Sequence, residues 1–158
     1  MSAPLEHSIE SVDRGPRTVA RRARVKADAH ELFLMLANPH RHHEVDGSRT
    51  VKAKVIGPRE LRTGDRFRVA MGMFGVPYAI TSTATRVEPD RVVEWQHPGK
   101  HRWRWEFEPQ DDGSTIVTEV FDYTESPVAA LLEKTKAPQK NAVGIRDSLA
   151  KLQRRFGG

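Results

Sequence analysis

The sequence contains no cysteine among its 158 residues. Disulfides, thiolate zinc sites, iron–sulfur clusters and cysteine nucleophiles are therefore excluded. It also lacks any apolar run close to the roughly 20 residues that a membrane helix needs, and residues 1–17 hold no apolar stretch of the signal-peptide kind. We therefore expect a cytoplasmic protein without a transmembrane segment.

A large excess of one charge is also missing, because 26 Lys and Arg face 21 Asp and Glu, for a formal net charge of +5. Such a charge identifies no partner by itself. Basic residues cluster at two places, Arg21-Arg22-Arg24-Lys26 and Lys151 with Arg154 and Arg155. Acidic residues are interleaved elsewhere and no recognition-helix or RNA-binding signature is present, so we expect solvated faces rather than a nucleic-acid partner.

The length suits a single compact domain with one core. Residues 1–16 mix Pro, Ser, Glu and Arg without periodicity, and we expect a flexible N-terminal arm there. Residues 17–158 are predicted to form the one domain. Within it, residues 18–26 alternate apolar and basic side chains as a half-buried strand does. Asp28 is the predicted N-cap of a helix that Asn38-Pro39 ends, and a second short helix is predicted through Glu44.

The middle of the chain is predicted to be a series of strands separated by turn sequences. They cover residues 51–56, 67–73, 78–87, 92–97, 103–108 and 115–124. Ser126-Pro127 then resembles an N-cap followed by proline in the first helical turn. It opens a long helical segment with an apolar stripe, in which Pro138 should cause a kink or a division into two helices.

This order of elements predicts an α+β fold. A curved antiparallel sheet of about seven strands should wrap around the long C-terminal helix, because that helix is the only element long enough to cover the apolar face of the sheet. One or two short helices should follow the first strand.

Strand alternation places large apolar side chains on the inner face of the sheet. These are Phe67, Met71, Met73, Trp95, Trp103, Trp105 and Phe107. Each of them is also compatible with ordinary core packing. Together, flexible Met and rigid Trp in a strongly bent sheet predict a cavity that binds an apolar ligand.

For two strands, the sequence does not determine which alternating set of side chains faces the inside of the sheet. In residues 78–87 neither alternating set is decisively apolar, and in residues 115–124 each phase carries one carboxylate, Glu119 or Asp122. The inward carboxyl group would be the best candidate for acid–base chemistry, with His97 as a candidate partner. The alternative is a carboxylate at the sheet edge or paired with an arginine. No catalytic residue is assigned.

Residues 39–46 hold three of the seven histidines. The spacing matches no metal motif, so we expect no metal ion, and nothing in the sequence indicates a cofactor. His42, His43 or Tyr78 could instead orient the polar end of a ligand.

Several short motifs resemble one protein family. They are the helix before Asn38-Pro39, His43-Glu44-Val45-Asp46-Gly47-Ser48, Gly64-Asp65-Arg66-Phe67, Val92-Val93-Glu94-Trp95, Trp105-Glu106-Phe107 and the closing amphipathic helix. Over about residues 17–156 the chain resembles the polyketide cyclase/dehydrase and lipid-transport branch of the START-like (SRPBCC, Bet v 1-like) superfamily. The resemblance implies a helix-grip fold with an apolar cavity that opens near the short helices.

The resemblance implies small-molecule binding more firmly than catalysis, because fold does not choose among carriers, cyclases and receptors. Our first hypothesis is a non-catalytic carrier or sensor of a lipid, polyketide or aromatic metabolite. The second is a cyclase/dehydrase-type enzyme that uses Glu119, Asp122 or His97. The third is an interaction module whose basic faces bind protein or nucleic acid. The sequence does not indicate the oligomeric state.

Overall fold

The chain folds into one curved antiparallel sheet and a long C-terminal helix in a computed structural model, which describes residues 8–48 and 50–157. The strands are β1 (Ile9–Val12), β2 (Thr18–Val25), β3 (Val51–Ile56), β4 (Arg66–Met73), β5 (Val76–Glu88), β6 (Val92–Gln96), β7 (Arg102–Pro109) and β8 (Thr115–Asp122). The helices are α1 (Ala29–Leu36), a 3-10 helix (Pro39–Glu44), α2 (Ala129–Lys134) and α3 (Ala137–Gly157). The α+β prediction is confirmed.

The sheet has eight strands in the order β1-β2-β8-β7-β6-β5-β4-β3, so β1 and β3 form its edges. The additional strand is β1, which pairs antiparallel with β2. The expected flexible arm is therefore wrong for Ile9–Val12, where Ile9 packs against the core. The remainder of that prediction, at residues 1–7, lies outside the described residues.

The two short helices after β2 begin as their sequences predict. The Asp28 carboxylate accepts a hydrogen bond from the Glu31 backbone N–H at 2.7 Å. The Asn38 side chain accepts one from the backbone N–H of His40 at 3.0 Å, with Pro39 in the first turn. Each cap satisfies an N–H that has no partner inside its helix.

The C-terminal segment is divided into two helices, as the proline predicted. Thr135 ends α2, and Lys136 takes a left-handed conformation with φ of 62°. Pro138 then occupies the first turn of α3, where its missing N–H costs no helical hydrogen bond. The predicted start at Ser126 is displaced, because α2 begins at Ala129 and the Ser126 hydroxyl accepts from the Val128 N–H.

The core lies between the concave face of the sheet and the helices. The long helix α3 packs mainly against β2 and β8 through Ile145, Leu149 and Leu152, which are fully buried. On the convex face, buried Glu94 accepts from Arg104 at 2.9 Å and from Thr85 at 2.9 Å. The exposed edge strand β3 carries a register irregularity between Val51 and Val55.

The structure settles both strand phases that the sequence left open. In β5, Tyr78, Ile80 and Ser82 point to the concave side. In β8, Glu119 points inward, beside Trp105 of β7 and Arg21 of β2 in the register. None of the described helices is both long and apolar enough to cross a bilayer.

Candidate functional site

A cavity of about 670 Å³ lies between the concave face of the sheet and the first half of α3. Its deep wall comes from β4 to β8, whereas α3 packs chiefly on β2 and β8. Its mouth is lined by exposed residues from two places. Met73 and Tyr78 flank the β4–β5 turn, and Thr135, Lys140 and Val143 follow the break between α2 and α3.

One end of the wall is a cluster of three packed rings. The His42 ring stacks on Trp95 with 4.6 Å between centroids, and both rings contact Phe67 in a T-shaped arrangement at 5.9 and 6.0 Å. Alternation along β4 and β6 brings Phe67 and Trp95 to this face, and the 3-10 helix supplies His42. The packing holds this part of the wall rigid.

His42 is an uncharged hydrogen-bond donor in this cluster. Its Nε2 lies 2.7 Å from the carbonyl oxygen of Leu36, which only accepts, so Nε2 carries the proton. Burial lowers the pKa of His42 to about 4. The imidazole is therefore neutral at physiological pH, and its Nδ1 keeps a free lone pair.

A pair of histidines occupies the other end of the wall. His101 Nε2 lies 3.1 Å from His97 Nδ1, and the His101 ring packs against Phe121 at 5.6 Å. Burial lowers the pKa of both imidazoles, that of His97 to about 3, and the neighbouring His101 contributes to the lower value. One neutral ring donates to the other in this bond, and the buried His101 Nδ1 has no hydrogen-bond partner among the residues that the structure describes.

Glu119 is the carboxyl group of the cavity wall. The residue is only 6% exposed, and its Oε1 has no hydrogen-bond partner among the described residues. Arg21 is its cross-strand neighbour, yet the buried Arg21 Nε is without a partner as well. Burial, and secondarily the charge of Asp46, raises the pKa of Glu119 well above its ordinary value. Burial therefore favours the neutral carboxylic acid over the ionised carboxylate at this position.

The loop after the 3-10 helix fixes the cavity roof to α3. The Asp46 carboxylate accepts from the backbone N–H groups of Ser48, Thr50 and Val51 at 3.0–3.1 Å, so both of its oxygens are engaged within the loop. The Gly47 N–H donates to the Ser148 hydroxyl at 2.8 Å. A Cβ on Gly47 would lie 2.5 Å from the Gly144 carbonyl oxygen, so only glycine permits this contact.

The cavity brings together most of the predicted site residues. Its lining includes His42, Phe67, Met71, Met73, Tyr78, Trp95, His97, Trp103, Trp105 and Glu119. Contact of these residues with a ligand remains a prediction.

Three predicted residues lie elsewhere. His43 is exposed on the far side of the 3-10 helix, and Phe107 is buried in the core below the cavity. Asp122 points away from the cavity, because it follows Glu119 by an odd number of residues along β8, and its Oδ1 accepts from the Thr124 N–H and hydroxyl. Asp122 is thus excluded as the cavity carboxylate.

Sequence reasoning missed His101 and the cavity-facing residues of α3. His101 continues the alternation of Trp103 and Trp105 by one step, which would have placed it on the inner face. Gly144 lies in the middle of an amphipathic helix, where glycine commonly marks a close approach of another segment. Residues 8–48 and 50–157 contain no group of three His, Asp or Glu side chains placed to hold a metal ion.

Comparison with known proteins adds the family. A family model described as polyketide cyclase/dehydrase and lipid transport matches residues 16–157. The chain belongs to this family. One relative is the uncharacterized protein Rv0088 of Mycobacterium tuberculosis. It is 43% identical to this chain over 153 residues, which are 94% of this chain and 68% of the relative.

Solved structures share the fold of this polyketide cyclase/dehydrase family member. Protein Ms6760 from Mycobacterium smegmatis matches with a TM-score of 0.64 at 18% identity, over 92% of this chain and 99% of its own. The Polyketide_cyc-like protein Cgl2372 from Corynebacterium glutamicum matches with a TM-score of 0.63 at 17% identity, over 90% of this chain and 93% of its own. The expected helix-grip fold is confirmed.

Proposed function

We propose that the protein binds a hydrophobic or amphipathic small molecule in the cavity and serves as a carrier or sensor without catalysing a reaction. The observation that supports this most is the cavity itself, because about 670 Å³ lies within the range of pockets that enclose drug-sized ligands. A core built only for stability would be filled to near crystal density.

The composition of the wall also favours an apolar ligand. All three tryptophans line the cavity, together with Met71 and Met73. Rigid indoles offer large apolar surfaces, and flexible methionines adapt to different shapes. Burial of apolar surface, at about 25 cal/mol per Å², would supply the driving force.

The test is to detect a ligand and then to block its site. Native mass spectrometry of protein purified from its own host should show a co-purifying small molecule. The neutral probe N-phenyl-1-naphthylamine, which fluoresces in apolar surroundings, should bind the wild type. Ser82→Phe, whose ring would enter the cavity beside Phe67, should weaken probe binding at least 10-fold, whereas Ser82→Ala should not. Equal binding by both variants, each with a cooperative thermal transition, would rule out this cavity as the binding site.

A proton-transfer enzyme of the cyclase/dehydrase type is a second candidate, which the partnerless Glu119 oxygen favours. Such an enzyme would polarise a ketone with the neutral carboxyl and accept an α-proton on a neutral imidazole such as His97. Exchange of ketone α-protons with D2O, followed by NMR on 2-acetylnaphthalene, should then be lost in Glu119→Gln and kept in Asp122→Asn. Absence of catalysed exchange in the wild type would argue against this activity.

The surface gives less support to an interaction module for nucleic acid. Arg22, Arg24 and Arg155 belong to the two basic clusters, and each forms an ion pair with a carboxylate. These pairs reduce the positive potential that would attract phosphates. Binding to DNA or RNA, if measured, should be weak and strongly dependent on salt.

A further inference from the structure

The polar groups in the deep wall of the cavity differ from those of an anion-binding site. Burial lowers the pKa of His42, His97 and His101, so none of these three imidazoles carries a positive charge at physiological pH. The Asp46 oxygens are engaged by their own loop. Lys140 is the only ammonium group in the lining of the described cavity, and it lies exposed at the mouth. The deep part of the described cavity lining therefore holds no cation for a bound carboxylate or phosphate, and Arg21, the cross-strand neighbour of Glu119, is not among the lining residues.

Among the residues that line the described cavity, Glu119 is the carboxyl group whose hydrogen-bonding capacity is unused. Its carboxyl is buried, with Trp105 on one side of it and Arg21 on the other in the strand register. A buried carboxyl without a partner is stabilised in its protonated form, and the nearby negative Asp46 acts in the same direction. A protonated carboxyl donates one hydrogen bond, and a ligand with an acceptor would satisfy it.

We propose that the cavity selects an uncharged, largely apolar ligand that carries a carbonyl group, and that the Glu119 carboxyl donates a hydrogen bond to this carbonyl. The proposal rests on the proposed function, because it assigns a ligand class to the same cavity. A ligand carboxylate would lose its hydration without gaining a cation, and a ligand ammonium would require Glu119 to ionise within an apolar wall.

Four naphthalene compounds of nearly equal size provide the test. They are 2-acetylnaphthalene (a neutral ketone), 2-ethylnaphthalene (a hydrocarbon), 2-naphthoate (an anion) and 2-naphthylmethylammonium (a cation). Dissociation constants come from shifts of the protein amide signals in NMR titrations at pH 6.5. A neutral hydrogen bond that is open in the free protein should make the ketone bind about 3- to 10-fold more tightly than the hydrocarbon. Both ions should bind more weakly than the ketone.

Two variants assign the preference to Glu119. Glu119→Gln keeps a neutral donor at the same place, so the ketone should retain its advantage over the hydrocarbon. Glu119→Leu fills a similar volume without a donor, so the ratio of the two dissociation constants should fall to about one. Asp122→Asn, outside the cavity, is the matched surface control and should keep the wild-type ratio.

The outcomes separate the two proposals. If neither the ketone nor the hydrocarbon binds, both the proposed function and the proposed ligand class are wrong. If both bind with the same affinity in the wild type, ligand binding stands and the role of Glu119 is wrong. Tightest binding of the ammonium compound, lost in Glu119→Gln, would show an ionised Glu119 and overturn the neutral-carbonyl proposal.

Discussion

Glu119 links the chemistry of the cavity to the stability of the protein. Its pKa in the folded state lies well above the ordinary 4.5, so the folded protein holds a proton that the unfolded chain releases. Stability is therefore lost as the pH rises from about 4.5 toward the folded pKa. Glu119→Gln removes this dependence. Its free energy of unfolding should increase relative to wild type by about 1.4 kcal/mol per pH unit within that window.

Urea denaturation at a series of pH values measures this difference. Below pH 4.5 the two curves should run in parallel. A constant difference between wild type and Glu119→Gln from pH 4 to 8 would mean that Glu119 titrates normally in the folded protein.

His42 and His97 should show the opposite dependence on pH. Their pKa values are lowered to about 4 and about 3, so the stability that comes from their neutral forms is complete above pH 6.5 and is lost as the pH falls. Long-range ¹H–¹⁵N NMR should find both rings neutral at pH 5, with the His42 proton on Nε2. Titration of either ring near pH 6.5, the ordinary value for an imidazole, would contradict the burial.

At the residue scale, the sequence was sufficient to predict which face of the sheet the large apolar side chains occupy. It was insufficient to predict this for the polar side chains. Trp95, Trp103 and Trp105 lie inside because strand alternation determines the face. Glu119 and Asp122 stood as alternatives, since both phases of β8 are partly apolar and only the pairing with β2 and β7 decides between them. His43 lies outside the cavity lining because the orientation of a 3-10 helix is set by its packing.

At the scale of elements, the contact between the loop at Gly47 and helix α3 is the tightest constraint on the cavity roof. A Cβ on Gly47 would lie 2.5 Å from both the Gly144 oxygen and the Ser148 nitrogen. Both are backbone atoms of α3, so neither can move away without displacing the helix. Gly47→Ala should therefore lower the free energy of unfolding by about 3 kcal/mol. Urea denaturation measures the loss.

Gly144→Ala is the matched control from the other side of the same contact. Its Cβ would lie 3.7 Å from the Ser48 Cβ, an ordinary van der Waals distance, and alanine favours the helix. This variant should be stabilised by about 1 kcal/mol. A similar loss in both variants would indicate that the loop and the helix lie closer together than described.

The helical elements were largely predictable because their ends carry local signals. The caps at Asp28 and Asn38 use side-chain bonds within three residues, and Pro138 tolerates only the first turn of a helix. The strand β1 was not predictable in the same way. Its four residues, Ile9–Val12, have little periodicity of their own and are ordered by the pairing with β2.

At the scale of the whole molecule, the sheet is supported unevenly. Helix α3 packs mainly on β2 and β8 and α1 on β6 and β7, whereas β4 and β5 pack chiefly against neighbouring strands and the cavity. Hydrogen exchange should therefore be slower for amides in β2 and β8 than in β4 and β5. Binding of N-phenyl-1-naphthylamine should slow β4 and β5 selectively. Uniform exchange across the sheet would contradict this picture.

The overall architecture followed from the order of the elements, since only one helix was long enough to cover the sheet. The cavity volume did not follow, because it depends on how far β4 and β5 bend from α3. Such curvature is a collective property of strand twist and loop contacts. No single residue encodes it.

The irregular edge strand β3 has a consequence for crowded solutions. Its register shifts between Val51 and Val55, and the exposed side chains of Lys52 and Lys54 lie within the interrupted stretch. A second molecule that approached this edge would meet like charges and a backbone whose hydrogen-bonding groups no longer repeat evenly. Fibrillar growth through β3 is thus opposed, even though the neighbouring turn presents the bare ring of Phe74 to water.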